Sequence, residues 1–496
     1  MNDFILTLML LGALSSGPVM PFWATANRFG IMPEADGAVG LISASSQFDP
    51  SRTLQWRWGA SLAAGYDSYS PVMDMSLASG NEGPGTGGSG SDGTRIMLDE
   101  LYGSLRWKVF SLDLGMKHRE QDFMAGAASQ GPAFLGSLST TAGNILWSGN
   151  SRSLPGYSLN LEPVAVPFTG GRVMLSGSYG DYRTFDTRYV EGALVHNTRV
   201  GLTIRLTERL DFLGRLDHYA LWGGTHPTKG KRPSGFKNYL RVVTGSSGGS
   251  DATHSDQVNV LGDPRGAELF GLRWKGDGWR LTFQHDIPYD DGSGMGFQNF
   301  PDGVNTLHFG LDDKTGWVSD VLLEYSTTMW QSGTRHDWTD ADGKKHISGG
   351  GDNYFNNSEY LSGWTFFGRT AGLPLFYPYR TRSHVWNPSK VVYGVENNRL
   401  KAMHLGLAGK LLKKAPYKLM LTYSQNYGIY VRPYEGESQW GKEPGTVKET
   451  SLNQLSAAFM GEVPLGSLAV LYGLYADKGS VLPDTFGATL GLRWSL

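Results

Sequence analysis

Apolar and polar residues alternate with period two along most of the chain, the signature of half-buried strands. From Leu54 to Tyr66, one face carries Leu54, Trp56, Trp58, Ala60, Leu62, Ala64 and Tyr66, and the other carries Gln55, Arg57, Gly59, Ser61 and Gly65. The split recurs at Val200, Leu202, Ile204 and Leu206, at Trp279, Leu281 and Phe283, at Tyr417, Leu419, Leu421 and Tyr423, and at Leu490, Leu492, Trp494 and Leu496. Every Arg or Lys in these stretches falls on the polar face, so the pattern predicts an all-β protein. A sandwich strand runs ~5–6 residues and a tilted membrane strand ~9–11; Leu54 to Tyr66 holds its alternation for 13. An arginine aimed at lipid would cost ~2–4 kcal/mol at the bilayer midplane. The register is therefore expected to place Arg57, Arg205, Arg280 and Arg493 in the lumen of a transmembrane barrel, with the apolar face on lipid.

The connections agree. Tight ones stand at Thr207-Glu208, Lys275 to Gly278, Asp312 to Gly316, Lys413 to Pro416 and Gly461 to Gly466. Long, polar, Gly-rich ones stand at Asp67 to Thr94, His118 to Gly171, Ala220 to Gly266, Asp286 to Val304, Gln331 to Asn398 and Tyr427 to Glu449. Short periplasmic turns alternating with large external loops are the habit of outer-membrane barrels. The expected fold is a single closed antiparallel transmembrane β-barrel of about 18 strands, and the Gly/Ser stretch Gly83 to Gly93 is expected at a loop tip.

Phe4 to Leu14 is an apolar run of 11 residues, too short for a membrane helix, which needs ~20. Its length and the small residues Ser15-Ser16-Gly17 suit the core of an export signal, although Asp3 stands where a basic residue is usual. A first strand buried in the fold is the other reading. The expected division is a signal peptide over 1–16, whose true start could lie upstream, an N-terminal periplasmic or luminal segment over 17–36, and the barrel over 37–496.

Composition narrows function. The 496 residues include 68 Gly, 15 Trp and 23 Tyr but no cysteine, and the net charge is -2. Disulfides, thiolate metal sites and cysteine nucleophiles are excluded, and nucleic acid is a poor partner for so neutral a chain. Gly245-Ser246-Ser247-Gly248-Gly249 fits a hydrolase elbow only where a strand leads in and a helix leads out; no helix is predicted after it. A surface hydrolase using Ser247 or Ser293 remains a minor reading. Asp340, Asp342 and Gly343 resemble a calcium loop, but Trp338 occupies its first ligand position. No metal, cofactor or catalytic residue is expected.

On a strand scaffold, function belongs to the loops. The richest is Gln331 to Asn398, with 12 aromatic residues between Trp338 and Tyr393 interleaved with amides and carboxylates. Rings match the C–H faces of sugars, and Asn, Asp and Arg match their hydroxyls. Candidate stacking residues are Trp222, Trp338, Tyr354 and Trp364; candidate hydrogen-bonding residues are Asp337, Asn353, Asn356, Asn357 and Arg369. Such a loop could equally fold inward and plug the barrel.

These loops also carry an ordered set of short motifs: Pro21-Phe22-Trp23 with Asn27-Arg28-Phe29-Gly30, Trp147-Ser148-Gly149-Asn150, His218 to Gly224, Tyr239-Leu240-Arg241, Asn299 to Gly303, Glu324-Tyr325 with Trp330 to Gly333, Asp352 to Gly368, Asn397-Asn398-Arg399, and Thr422 to Gly428. In this set the chain resembles the capsule assembly Wzi family of outer-membrane proteins, in its Bacteroidetes version, over about residues 20 to 496. The resemblance implies an 18-stranded, lectin-like barrel that binds capsular polysaccharide or exopolysaccharide and anchors it at the cell surface. Outer-membrane lipid and the polysaccharide export machinery would be its other partners. Enterobacterial members carry an N-terminal helical bundle for which residues 17–36 leave no room. A passive porin is the alternative function, with the four luminal arginines setting ion preference.

Overall fold

The computed structural model describes residues 4–49, 51–68, 93–118, 137–141, 143–258, 260–334, 338–343, 345–346, 350–379, 394–438 and 448–496. Eighteen antiparallel strands close into one barrel. In chain order they are β1 (Phe4–Ser15), β2 (Gly37–Ser46), β3 (Leu54–Asp67), β4 (Gly93–Trp107), β5 (Phe110–Met116), β6 (Pro155–Ala165), β7 (Val173–Arg183), β8 (Leu194–Arg205) and β9 (Leu210–Trp222). The second half is β10 (Asp263–Lys275), β11 (Trp279–Tyr289), β12 (Gly303–Leu311), β13 (Asp320–Thr327), β14 (Arg399–Leu411), β15 (Ala415–Ile429), β16 (Leu452–Leu465), β17 (Leu468–Gly479) and β18 (Thr485–Ser495). Each strand pairs with its sequence neighbours, and β1 closes the ring against β18 with Thr7 opposite Ser495 and Ser15 opposite Gly487.

The alternation has its expected cause. Outward positions are apolar and exposed, as at Trp56, Ile96, Val200 and Leu490; inward positions are buried and polar, as at Ser61, Asp217, Gln284, Glu324 and Thr422. Trp56, Trp107, Phe110, Trp274, Trp317 and Trp494 ring the end with short turns, and Tyr66, Tyr325 and Phe486 stand at the other. Two aromatic belts bounding an apolar band match a membrane's two interfaces. Of the Gly/Ser stretch expected at a loop tip, positions 83–92 lie outside the described residues.

One expectation is corrected. Phe4 to Ser15, read as part of an export signal over 1–16, is strand β1, paired along both edges. It looked like a leader because both its faces are apolar. Leu10 and Leu14 face outward at 61% and 69% exposure, while Met9, Leu11 and Ala13 are buried inside, the first two against Met32, Val39 and Leu471. An inner face that meets a packed lumen loses the polar half of the alternation.

Residues 17–36 form the connection from β1 to β2 and turn into the lumen from the long-loop mouth. A one-turn helix, α1 (Phe22–Thr25), sits there. The Trp23 indole N–H donates to Thr422 Oγ1 on β15 at 3.0 Å, and the Phe22 amide donates to Asp477 on β17 at 2.7 Å. A second helix, α2 (Phe236–Val243), lies in the connection from β9 to β10.

Candidate functional site

Three places in the barrel can meet a ligand or exclude one: the plug in its long-loop half, a cavity beside the plug, and a groove on the rim.

The plug is built from residues 17–36, 137–141, 143–154, 350–379 and 394–398. Its core joins Ile145, Leu146, Trp147, Trp364, Phe366, Leu373 and Phe376 to wall residues Tyr219, Val304 and Leu400, all buried. Trp147 stacks on Tyr219 at 5.7 Å and meets Trp364 edge-on at 5.8 Å. Gly372 lets two segments touch: a Cβ there would stand 1.9 Å from the Ile145 carbonyl oxygen. Polar ties fix the plug to the wall. Glu324 accepts from Ser139 Oγ at 2.6 Å and the Thr140 amide at 2.8 Å; Asp286 accepts from the Ile145 amide at 2.9 Å. Arg215 bridges Asp217 at 2.6 Å and Asp286 at 3.1 Å while donating to the Gly143 carbonyl at 2.7 Å.

The sequence-derived sugar residues are distributed through this packing. Trp364 and Tyr354 are fully buried; the Trp364 indole donates to the Leu146 carbonyl at 2.6 Å and the Tyr354 hydroxyl to Asp302 at 3.2 Å. Asn356 closes its own loop, donating to the Val395 carbonyl at 2.9 Å and accepting from the Val395 amide at 3.0 Å. Asn353 accepts from Asn398 at 2.6 Å, and Asn357 caps the turn at Glu359 and Tyr360 and reaches Asp263 at 3.3 Å. Arg369 pairs with Glu34 and donates to the Thr25 carbonyl at 3.3 Å. Trp222 is buried on the outer side of the wall against Val242 and Leu261. For Trp338 the structure describes the backbone, paired with His346; Asp337 lies outside the described residues. A ring with no exposed face cannot stack on a sugar, so Tyr354, Trp364 and Trp222 are packing residues in this arrangement and the stacking role expected of them is corrected.

The luminal arginines divide. Arg57 lines the cavity, its guanidinium 4.5 Å over the Phe48 ring, and Arg493 pairs with Glu462 at 2.9 Å. Arg205 and Arg280 keep the inward parity but end at the short-turn rim, exposed; Arg280 meets Asp312 at 3.5 Å. The cavity encloses about 430 Å³ inside β3 to β8. Arg57, Arg106, Lys117 and Arg199 line it against Asp113 and Glu162, with Ser111, Ser158 and Asn160 between. Lys117 and Asp113 pair at 3.0 Å, and Arg199 and Asp217 at 2.8 Å.

The rim groove holds about 460 Å³. Two loops supply its aromatic floor: Phe300, 61% exposed, precedes β12, and Trp330, 38% exposed, follows β13. Tyr325, Asn305 and Lys401 add outward-facing groups from the strand ends, and Arg399 and Glu449 close it as an ion pair. Asp302 holds the loops together, accepting from the Trp330 amide at 3.0 Å and the Gln331 amide at 2.7 Å. Burial pushes its carboxyl up to about 7. Half-exposed rings beside amide, ammonium and carboxylate groups form a surface suited to sugars. Sequence reasoning missed this pair. Its signals, Asn299 to Gly303 and Trp330 to Gly333, lay in separate motifs whose adjacency only the fold supplies.

Gly245 to Gly249 follows helix α2, and a short helix at His254–Val258 comes after it, contrary to expectation. No strand leads into the segment, so it is still not an elbow. Among the described residues, no group of three or more His, Asp or Glu side chains could hold a metal ion.

No family model and no curated protein sequence matches the chain. Among solved structures, it is similar to Wzi, an outer-membrane protein of Escherichia coli involved in group 1 capsule assembly and a carbohydrate-binding β-barrel. The TM-score is 0.54 at 13% identity, covering 99% of this chain and 84% of that one. The chain is a bacterial outer-membrane β-barrel. It is also similar to OccAB4 of Acinetobacter baumannii, at TM-score 0.45, 8% identity and 100% and 98% coverage. OpdK of Pseudomonas aeruginosa gives TM-score 0.44, 11% identity and 100% and 98% coverage. Likeness at these identities shows the fold alone, and the last two scores are too low to argue from.

Proposed function

We propose that the protein is a non-catalytic anchor of the Wzi type, binding exported capsular polysaccharide or exopolysaccharide at the outer surface through the rim groove. The observation that carries this reading is the plug: the long-loop half of the lumen is occupied by close-packed aromatic core tied to buried charged groups of the wall by hydrogen bonds. A barrel so filled acts as a scaffold for its rim. The name of the Escherichia coli neighbour, a carbohydrate-binding barrel, supports the same ligand class. Polymer ligands suit a shallow groove, because many weak, equivalent contacts add up through avidity.

The test is saturable binding of the host's extracted surface polysaccharide to the detergent-purified barrel, compared with a Phe300→Ala, Trp330→Ala variant. Base–ring stacking values of ~1–3 kcal/mol per ring, taken as a guide for sugar–ring contacts, predict at least a tenfold loss of affinity. Unchanged affinity would remove the groove from the account.

A channel is the second reading, favoured by the charged cavity around Arg57, Arg106 and Arg199. A large, steady single-channel conductance from the intact protein would support it over the plugged anchor.

A further inference from the structure

Outside β6 to β9 the wall breaks the lipid-facing pattern. Val200 and Leu216 face outward at 47% and 39% exposure. At outward positions nearer the long-loop end, the wall instead carries Tyr157, Tyr179, Asp181, His196 and His218. Polar groups there would be left against lipid at substantial cost. Helix α2 covers them. The Tyr239 hydroxyl donates to Asp181 at 2.8 Å and contacts the Tyr179 hydroxyl; the Val242 carbonyl accepts from His218 Nε2 at 3.1 Å. Val242 is buried with Ala220, Trp222 and Leu261. One face of the helix is thereby fixed to the outside of the barrel, directly above the apolar band.

Its other face is the unusual one. Phe236 and Leu240, four residues apart and so on one side of the helix, are 75% and 48% exposed. Lys237 is exposed beside them, and Arg241 donates to Asn238 at 2.8 Å and stands 3.9 Å from Asp251. Two exposed apolar side chains flanked by basic ones have the make-up of a helix that lies in a membrane interface. Long basic side chains can bury their stems at that level and keep their charges among headgroups.

We propose that α2 is an interfacial helix seated on the outer leaflet, with Phe236 and Leu240 entering the acyl boundary and Lys237 and Arg241 meeting the phosphate groups of an anionic lipid. The helix then seals the polar patch of the wall and fixes the height of the barrel in the membrane, whatever the rim groove binds.

Because the chain has no cysteine, single-cysteine variants can be spin-labelled without background. Phe236→Cys and Leu240→Cys are compared with Val200→Cys in the lipid band and Thr244→Cys past the helix end. The barrels are placed in nanodiscs of phosphatidylglycerol and phosphatidylcholine, and heat-modifiable electrophoresis confirms that each is folded. Oxygen collisions at 236 and 240 should approach those at 200, while 244 responds to a water-soluble nickel relaxant. If 236 and 240 follow the nickel reagent as 244 does, the interfacial helix is overturned. The phosphate contact is tested by Lys237→Gln, Arg241→Gln in the Leu240→Cys background. The label should move toward water in the anionic discs and stay put in discs of phosphatidylcholine alone. Equal behaviour in both discs overturns the phosphate contact.

Discussion

Removing one ring from the plug should open the barrel without unfolding it. Trp364 is fully buried, meets Trp147, Tyr219 and Phe366 at 5.8, 5.4 and 5.2 Å, and lies 5.2 Å from the Arg265 guanidinium. Trp364→Ala leaves a cavity, at a cost of ~3–5 kcal/mol. It also strands the Leu146 carbonyl, which accepts the indole N–H at 2.6 Å. The wall strands keep their ladders, so the loss falls on docking of the plug. About 4 kcal/mol raises the undocked population roughly 1,000-fold. Amide hydrogen exchange over residues 350–379 reads that population directly, because local opening governs exchange there. Exchange should accelerate by about that factor while β15 to β18 stay protected, and channel openings should become frequent in planar bilayers. If exchange in the segment changes by less than tenfold, the ring is not holding the plug.

Three other outcomes follow from particular groups. Arg215→Met leaves Asp286 buried without its cation, while Asp217 keeps Arg199 at 2.8 Å, and breaking such a pair costs ~3–5 kcal/mol; limited proteolysis should release the segment around Gly143 to Leu154 from the wall before the barrel melts. Asp302 and Asp290 have carboxyls pushed up to about 7 by burial, and Asp352 is raised well above its ordinary range by burial and by Asp290. A carboxyl raised in the folded state favours folding most when protonated, so the rim should lose stability as pH rises from about 4 through about 7. Exchange of the Trp330 and Gln331 amides should be slower at pH 5 than at pH 8 after correction for intrinsic rates, and Asp302→Asn should flatten that difference. In a barrel opened by Trp364→Ala, Arg57 and Arg106 should favour anions; Arg57→Gln, Arg106→Gln should shift the reversal potential toward cation preference.

The strands were legible because lipid and lumen enforce opposite polarities on successive residues, and an arginine on the wrong face costs kilocalories. Where the lumen is dry, that contrast vanishes. Met9, Leu11 and Ala13 face the plug rather than water, so β1 reads as an unbroken apolar run and passes for a leader. The aromatic loop was legible as important but not in its direction. Trp147, Trp364 and Phe376 have the composition of a sugar platform and of a core alike, and only their burial separates the two. Several resembling motifs meet inside the barrel: the Asn27 amide N–H and side chain bond to Asn150 at 3.2 Å and Thr140 at 2.8 Å, and Asn398 bonds to the Tyr354 carbonyl at 2.7 Å. Much of that ordered set therefore describes how the lumen is filled. Phe300 and Trp330 share a groove only because β12 and β13 bring two loop ends together, a relation that spacing along the chain does not encode.

Retention of polysaccharide on living cells tests the central claim most directly. Cells lacking this barrel are complemented with the wild-type chain or with Phe300→Ala, Trp330→Ala, at equal surface levels, and glycan is measured on washed cells and in the medium. The account predicts that the wild type restores cell-bound glycan while the variant sheds it, with the total unchanged. Equal retention by both, together with lost uptake of small solutes in the deletion strain, would contradict the anchor and leave the channel.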